Sequence, residues 1–313
     1  MDMNQTAERP DQLLDGVCEL LRGGHATLAL RELFDGLGEI RTDAPLEAWA
    51  SVRDAVTAHD LRGLIHEDPM TRRSFEKPRG YAGDAVLLDY IYRLRGPEGS
   101  SDVGRAVYDY AVGRPAARAV RHRCEWLAHS IDRAADRVAE HDGSRARILS
   151  VACGHLREAA GAASLRGGGV ERLVALDADA ESLAEVGRLE LDCVERVEMS
   201  VGRLLGRASR MGEFDLSYSA GLYDYLEPGL ARRLTACLFG TLAPGGRLLV
   251  SNFLPTVADA GYMETFMGWD LIYRSEQQLA ELAADLPADQ VGGCQVYSDP
   301  FGAIAYLEVE RRR

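Results

Sequence analysis

The sequence lacks long hydrophobic runs, paired cysteines and an excess of cationic side chains. No stretch of the 313 residues approaches the ~18 uninterrupted apolar residues of a membrane-spanning helix, so no membrane partner is expected. Lysine and arginine number 36 against 49 aspartate and glutamate residues, which gives a formal net charge of −13 at pH 7. Because nonspecific binding to nucleic acid relies on a basic surface, nucleic acid is not an expected partner either.

The six cysteines are scattered without a CxxC pair, and the seven histidines show no metal-ligand spacing. These patterns indicate reduced, mostly buried thiols, and they predict neither a disulfide framework nor a metal site. The N-terminal stretch Met1–Leu14 is polar and acidic, and it lacks the basic and then apolar build of a secretory signal peptide. A cytoplasmic location is the expectation that follows.

The chain does have a globular composition, with 46% apolar and 27% charged residues. Its length accommodates one large domain plus a sizeable additional region. We expect a helical N-terminal lid or substrate region over residues 1–140 and an α/β domain over residues 141–313. The sequence leaves open whether the N-terminal helices close over a pocket or form a homodimer interface.

The N-terminal region reads as helical with one interruption. Apolar residues recur at helical spacing through the first ~65 residues. Two prolines and two glycines then predict a loop over Asp68–Gly83, and helix resumes at Asp84. A long helix is expected over Pro115–Glu140, and its arginines, Arg123 among them, lie largely off the apolar stripe. We expect these arginines to form a solvated face.

From Ala146 onward the pattern changes to short apolar runs that alternate with helical segments. Such alternation predicts a mostly parallel sheet covered on both faces, and the short turn between the last two runs predicts an antiparallel edge. The fold class expected is therefore α/β, with a Rossmann-like sheet after the N-terminal helices. The expected strands are Ile148–Cys153, Leu173–Leu176, Val197–Val201, Phe214–Ser219, Arg247–Asn252, Gln295–Tyr297 and Phe301–Val309.

The first strand-to-helix turn, Val151–Glu158, is a candidate ligand site. Gly154 lets the backbone approach a ligand closely, and N–H groups at the start of the following helix add a partly positive pole. Asp177 ends the second strand, 23 residues after Gly154. A carboxylate at that place can accept both hydroxyls of a ribose. The spacing predicts a cofactor of the adenosine type.

Four segments carry a resemblance to a known family. Ile148–Glu158 resembles motif I of the class I methyltransferases that use S-adenosylmethionine (SAM), and Leu173–Asp179 resembles motif II. Phe214–Ser219 resembles the motif on the fourth strand, and Leu242–Leu249 resembles the Pro-Gly-Gly turn into the fifth. The resemblance spans about the C-terminal half of the chain, and it implies a class I methyltransferase sheet with SAM as the cofactor.

Motif I departs from the family pattern at three positions. Ser150 occupies the usual acidic position, Ala152 the first glycine and Leu156 the third. SAM is therefore expected to be held differently near its amino-acid moiety, with Arg157 or Glu158 compensating. The missing glycine-rich pyrophosphate turn argues against NAD.

A narrower resemblance rests on Lys77–Asp84, Ala152–Glu158, Ala220–Leu226 and Gly261–Glu264. Together they look like a bacterial methyltransferase subgroup that includes enzymes of 3-hydroxypalmitic acid methyl ester (extracellular factor) biosynthesis. The subgroup reaches into secondary metabolism, and a few of its members are thought to cyclise SAM to azetidine-2-carboxylate. The resemblance implies a small-molecule substrate without fixing its identity.

In-line methyl transfer depends mainly on alignment and exclusion of water, and aromatic side chains suit a cationic sulfonium. For each aromatic, ordinary core packing is the alternative, and His155 either acts as a base or only hydrogen-bonds locally. The expected catalytic residues are Tyr81, Tyr223 and His155. The expected cofactor contacts are Ala152, Gly154, Arg157, Asp177, Ser219 and, from a lid loop, Arg79. The expected substrate contacts are Tyr225, Asn252, Tyr262 and Arg274, with Trp269 as a further pocket wall.

Three functions remain open from the sequence. The first is a SAM-dependent methyltransferase acting on a small-molecule carboxylate or hydroxyl, where an ester product would suit a lid that supplies Arg79. The second is an enzyme that cyclises SAM and releases methylthioadenosine. The third is a non-catalytic SAM-binding module.

Overall fold

The structure is a computed structural model that describes residues 3–207 and 211–313. The chain divides into two compact units. The first unit comprises Met1–Val120 together with Val257–Asp270, and the second comprises Arg121–Thr256 together with Leu271–Arg313. The sequence patterns did not indicate that Val257–Asp270 joins the N-terminal helices. None of the helices in the described part of the chain is both long and apolar enough to cross a membrane.

The first unit is built from helices, as expected for the N-terminal region. Helix α8 begins in the first unit and continues into the second. The helices are α1 (Met3–Arg22), α2 (Ala26–Asp43), α3 (Leu46–Ala58), α4 (Leu61–Ile65), α5 (Pro69–Glu76), α6 (Ala85–Ile91), α7 (Asp102–Gly113) and α8 (Pro115–Asp142).

Helix α5 corrects the predicted loop over Asp68–Gly83. The carboxylate of Asp68 caps this helix by accepting hydrogen bonds from the backbone N–H groups of Met70 and Thr71. Pro69 occupies the first helical turn, where its missing N–H removes no intrahelical hydrogen bond. The helix ends at Lys77, which is left-handed at φ 50°. The first proline therefore marks the start of a helix and not a break.

The second unit contains a seven-stranded sheet in the order β3-β2-β1-β4-β5-β7-β6. Strands β1 to β5 are parallel to one another, and β7 is antiparallel to both β5 and β6. This order confirms the expected α/β class and the antiparallel edge. The strands are β1 (Ala146–Val151), β2 (Val170–Asp177), β3 (Val194–Glu198), β4 (Phe214–Ser219), β5 (Leu242–Phe253), β6 (Val291–Ser298) and β7 (Ile304–Arg311).

The remaining helices are α9 (Ala163–Arg166), α10 (Ala180–Gly187), α11 (Val201–Leu205), α12 (Pro228–Phe239), α13 (Ala260–Thr265) and α14 (Glu276–Ala280). Helix α13 lies in the first unit, and the others lie in the second. The predicted third strand, Val197–Val201, is placed too late, because β3 ends at Glu198 and Val201 already begins α11.

Two apolar layers cover the sheet of the second unit. Leu149 and Val151 of β1 belong to one layer, which includes side chains of α12 and α14. Ile148 belongs to the other layer, which includes Leu127 and Ile131 of α8. Because successive side chains of a strand point to opposite faces, the buried run of β1 contributes to both layers. This packing brings the middle of α8 against the sheet.

Candidate functional site

The candidate site lies at the carboxyl ends of β1 and β4, where the strand order reverses. β2 pairs with one side of β1 and β4 with the other. Ligands of open α/β sheets bind at such a switch point. The buried Ser219 hydroxyl, predicted to contact a cofactor, donates a hydrogen bond of 3.0 Å to the carbonyl oxygen of Val151. Ser219 therefore joins the ends of the two strands that flank the site.

The turn after β1 has an unusual backbone. Ala152, Gly154 and Leu156 have φ angles of 54°, 53° and 50°. Glycine adopts this left-handed region freely, whereas a residue with a Cβ pays about 1–2 kcal/mol for it. Ala152 and Leu156, which stand where the family pattern has glycine, keep the glycine-like backbone and carry that strain. Backbone strain of this kind concentrates at functional sites.

Asp177 lies beside this turn and holds it in place. One carboxylate oxygen of Asp177 accepts a hydrogen bond of 2.8 Å from the backbone N–H of Gly154, and the other accepts one of 2.9 Å from the N–H of Asp179. Each carboxylate oxygen has a second lone pair that can accept a further donor. Asp177 can thus hold the turn and still accept the hydroxyls of a ribose, and its contact with a cofactor stays a prediction.

The helix expected after the turn is much shorter than the sequence suggested. Leu156 is left-handed, and only a four-residue 3-10 helix, Arg157–Ala160, follows it before the short α9. A strong helix dipole requires many aligned peptide units, so this segment gives the turn little of the positive pole that was expected. The expectation of a helix N-terminus behind Gly154 is corrected on this point.

Two predicted residues of this segment are engaged with neighbours. His155 is buried, and its Nδ1 lies 3.3 Å from Nη2 of Arg157. Glu158 is also buried and accepts a hydrogen bond of 2.7 Å from the Tyr218 hydroxyl of β4. Burial raises the pKa of the Glu158 carboxyl. The local pair of His155 and Arg157 matches the alternative in which His155 hydrogen-bonds next to its own helix start.

Three residues expected to face a ligand form an internal network. Asn252 and Arg274 are buried, and Nη1 of Arg274 donates hydrogen bonds of 2.6 Å to Asn252 Oδ1 and to the carbonyl oxygen of Tyr223. Nη2 of Arg274 donates to the carbonyl oxygen of Leu226. The Tyr223 ring lies in the apolar core, with its hydroxyl 3.1 Å from that of Thr235. The contacts of these side chains support a structural role, and they give no support to the predicted ligand contacts.

Asp224 is a candidate residue that sequence reasoning did not single out. It is buried beside this network, accepts a hydrogen bond of 2.7 Å from the N–H of Phe253 and lies in the 3-10 helix Leu222–Tyr225. Burial raises the pKa of its carboxyl to about 7, against a smaller lowering by the Arg123 guanidinium. A buried acid that titrates near neutrality can accept a proton during catalysis.

Arg123 corrects the predicted solvated face of α8. Its side chain is only 4% exposed, and its Nη1 atom has no hydrogen-bond partner among the described residues. Arg123 follows Val120 by three residues and precedes Leu127 by four, so it lies on the buried side of the helix. The nearby Arg118 and Arg133 are exposed, as expected. Sequence periodicity alone did not separate Arg123 from them.

The other predicted site residues divide between the two units. Tyr225 lies in the second unit and is 36% exposed. Arg79, Tyr81, Tyr262 and Trp269 lie in the first. Tyr81 is 37% exposed, in the turn that follows α5.

The Tyr262 ring is buried within the first unit. It stacks on Phe34 with ring centroids 4.0 Å apart, and its hydroxyl lies 2.8 Å from that of Thr71. These contacts support a packing role for Tyr262. In residues 3–207 and 211–313 no group of three or more histidine, cysteine, aspartate or glutamate side chains could hold a metal ion.

No family model and no curated protein matches the chain. Solved structures do match it in fold. A "possible exported protein" from Bordetella parapertussis is 17% identical, with 74% of this chain and 80% of that chain covered and a TM-score of 0.57. A "putative methyltransferase" from Thermobifida fusca YX is 15% identical, with 73% and 94% covered and a TM-score of 0.54. At these identities the likeness shows a shared fold, which is the Rossmann-like α/β fold that the sequence predicted.

Proposed function

We propose that this chain is a SAM-dependent methyltransferase that modifies a small-molecule carboxylate or hydroxyl. The observation that carries the proposal is the pair formed by Gly154 and Asp177 at the switch point of the sheet, 2.8 Å apart from backbone nitrogen to carboxylate oxygen. The shared fold with a protein described as a methyltransferase supports it. The motif resemblances of β1, β2, β4 and β5 add the expectation of SAM.

The residues around the turn fit an adenosine-type cofactor. Asp177 offers a spare lone pair on each oxygen for the two ribose hydroxyls, and the backbone at Gly154 carries no side chain that would block close approach. When bound, SAM would supply a methyl group on a positively charged sulfur, which an acceptor oxygen displaces in line. The chain itself would align the acceptor and exclude water, which is most of what this displacement requires.

The proton of a hydroxyl acceptor would need a base, and Asp224 is the best candidate among the described residues of the second unit. Its carboxyl is buried, and its pKa of about 7 suits proton transfer near neutrality. A carboxylate acceptor is already ionised at neutral pH and would need no base. The resemblance to the 3-hydroxypalmitic acid methyl ester subgroup favours such an acceptor, with a methyl ester as the product.

Cyclisation of SAM is the second candidate, and the left-handed Ala152 and Leu156 are the observation that favours it. Both carry side chains at positions where the family pattern has glycine beside the methionine end of the cofactor. In this reaction a new carbon–nitrogen bond closes the ring, a carbon–sulfur bond breaks, and methylthioadenosine leaves. The proton of the attacking amine would pass to a base, for which Asp224 is again the candidate.

Incubation of the purified protein with SAM, followed by mass analysis of the nucleosides, separates the candidates. Methylthioadenosine formed without an added acceptor would support cyclisation. S-adenosylhomocysteine formed only with an added carboxylic or hydroxylated acceptor would support the methyltransferase.

The cofactor assignment itself is tested by calorimetry on Asp177→Ala, with Glu171→Ala on the exposed part of the same strand as the control. Loss of both ribose hydrogen bonds should weaken SAM binding roughly a hundredfold or more, whereas the control should bind as the native protein does. Unchanged SAM affinity in a folded Asp177→Ala variant would contradict the assignment.

A further inference from the structure

Arg123 is a buried cation to which the proposed reaction assigns no role. It is 4% exposed, and its Nη1 atom has no hydrogen-bond partner among the residues that the structure describes. An unpaired donor on a buried charged group is costly, so such a group is normally matched by a partner. The side chain is therefore suited to an anionic partner.

Gly221 indicates where such an anionic partner would bind. This glycine comes two residues after the end of β4, and a Cβ added there would lie 3.7 Å from Nη2 and 3.8 Å from Nη1 of Arg123. Both terminal nitrogens of the guanidinium thus face the space that a side chain at position 221 would occupy. Glycine keeps that space clear at the carboxyl end of the strand, which is the ligand-binding edge of the sheet.

The charges around Arg123 do not fill this space. Burial raises the pKa of three groups near Arg123, the carboxyls of Glu158 and Asp224 and the hydroxyl of Tyr306, and in each case the guanidinium opposes that rise. Glu158 already accepts a hydrogen bond from the Tyr218 hydroxyl, and Asp224 accepts one from the backbone N–H of Phe253. Burial raises the pKa of both carboxyls, so both hold protons more readily than exposed acids do and balance the cation only in part.

Resting on the proposed function, we propose that Arg123 binds a carboxylate group at the carboxyl end of β4, beside Gly221. A planar guanidinium pairs with a carboxylate through two parallel hydrogen bonds, which fits two terminal nitrogens that face one space. The carboxylate would come from the acceptor or from the methionine part of the cofactor.

Two variants test the site independently. Arg123→Met removes the cation, and Gly221→Ala keeps the cation but puts a methyl group in front of its two terminal nitrogens. The backbone of Gly221 has φ −151°, which does not require glycine, so the alanine variant should fold. If Arg123→Met fails to fold, Gly221→Ala decides the question alone, and Arg123→Lys should recover part of the binding through its charge.

The source of the carboxylate is found with two pairs of probes. Calorimetry compares S-adenosylhomocysteine with methylthioadenosine, which lacks the amino-acid carboxylate. Thermal unfolding compares octanoate with octanol. If a variant binds S-adenosylhomocysteine roughly tenfold to a hundredfold more weakly than the native protein and binds methylthioadenosine as the native protein does, the carboxylate belongs to the cofactor. If a variant loses only the rise in unfolding temperature that octanoate causes in the native protein, the carboxylate belongs to the acceptor.

The failures of the two proposals are distinguishable. A native protein that binds neither nucleoside contradicts the SAM-dependent function, and the octanoate comparison still decides on Arg123. Folded variants that bind every probe as the native protein does would overturn the carboxylate site. Variants whose affinities for both nucleosides fall equally would also overturn it. A native protein that prefers neither S-adenosylhomocysteine over methylthioadenosine nor octanoate over octanol would overturn it as well.

Discussion

At the scale of single residues, Ala152 and Leu156 show how the turn after β1 is held. Both are left-handed, but Leu156 is fully buried whereas Ala152 is partly exposed. Ala152→Gly should therefore raise the free energy of unfolding by roughly 0.5–1 kcal/mol, because relief of the strain outweighs the extra freedom of glycine in the unfolded chain. Leu156→Gly should lower it by roughly 2–4 kcal/mol, because the lost apolar burial dominates. Urea denaturation checks both, and a destabilised Ala152→Gly would contradict the strain.

Asp224 makes stability depend on pH. Its pKa is raised from 3.8 to about 7, so between about pH 4 and pH 7 the folded chain holds a proton that the unfolded chain releases. The free energy of unfolding should therefore fall as pH rises through this window, by on the order of 4 kcal/mol in total.

Asp224→Asn keeps an acceptor for the N–H of Phe253 and cannot ionise. The free energy of unfolding of this variant should equal that of the native protein near pH 4 and exceed it increasingly up to pH 8. Urea denaturation at several pH values should compare the free energies of unfolding of the two proteins. Asp68 and Glu158 also have raised pKa values, but both proteins contain them, so their contributions cancel in the difference. A difference that does not change with pH would contradict the buried, protonated Asp224.

At the scale of residues, the sequence is most informative where a short spacing carries the information. The 23-residue interval between Gly154 and Asp177 lies within one strand–helix–strand unit, and their hydrogen bond follows from that unit. Asp224 lies in a 3-10 helix, and its backbone partner is Phe253, 29 positions away at the end of β5, so no local pattern reports the contact. The same limit hid the burial of Arg123, which depends on what α8 packs against.

At the scale of elements, buried strands were the most predictable feature. β4 runs over Phe214–Ser219 in the structure and in the prediction, because Phe214, Leu216 and Tyr218 alternate with polar residues at the two-residue period of a strand. Helix α5 was missed, because a helix that begins with proline resembles a loop in composition. The cap supplied by Asp68 distinguishes the two cases.

That explanation of α5 has a measurable consequence. Asp68 accepts hydrogen bonds from two backbone N–H groups and from the Thr71 hydroxyl, all inside the first unit. Asp68→Ala should lower the free energy of unfolding by roughly 2–3 kcal/mol, because it leaves buried donors unsatisfied. Pro69→Ala should change it by less than about 1 kcal/mol, because the ring only stiffens the unfolded chain. Thermal unfolding of both variants tests this, and equal effects would contradict the assigned cap.

At the scale of the whole molecule, the first unit is completed by a segment that the sequence order hides. Val257–Asp270 follows β5 in the chain, yet it belongs to the unit formed by Met1–Val120. Glu264 accepts hydrogen bonds of 2.7 Å from the Trp49 indole and 2.8 Å from Arg41. A Cβ at Gly261 would lie 2.6 Å from the carbonyl oxygen of Leu37, so this close approach of the two backbones requires glycine.

These contacts predict that residues 1–120 do not form a packed unit on their own. Without Val257–Asp270 the fragment would expose the ring of Phe34, which stacks on Tyr262, and would leave the Trp49 indole without its acceptor. A fragment of residues 1–120 should be helical yet lack the near-ultraviolet circular dichroism of packed aromatic rings. Residues 257–270 joined to it by a flexible linker should restore that signal, and the same fusion with Gly261→Val should not. Cooperative unfolding of the fragment alone would show that the N-terminal helices need no help from the later segment.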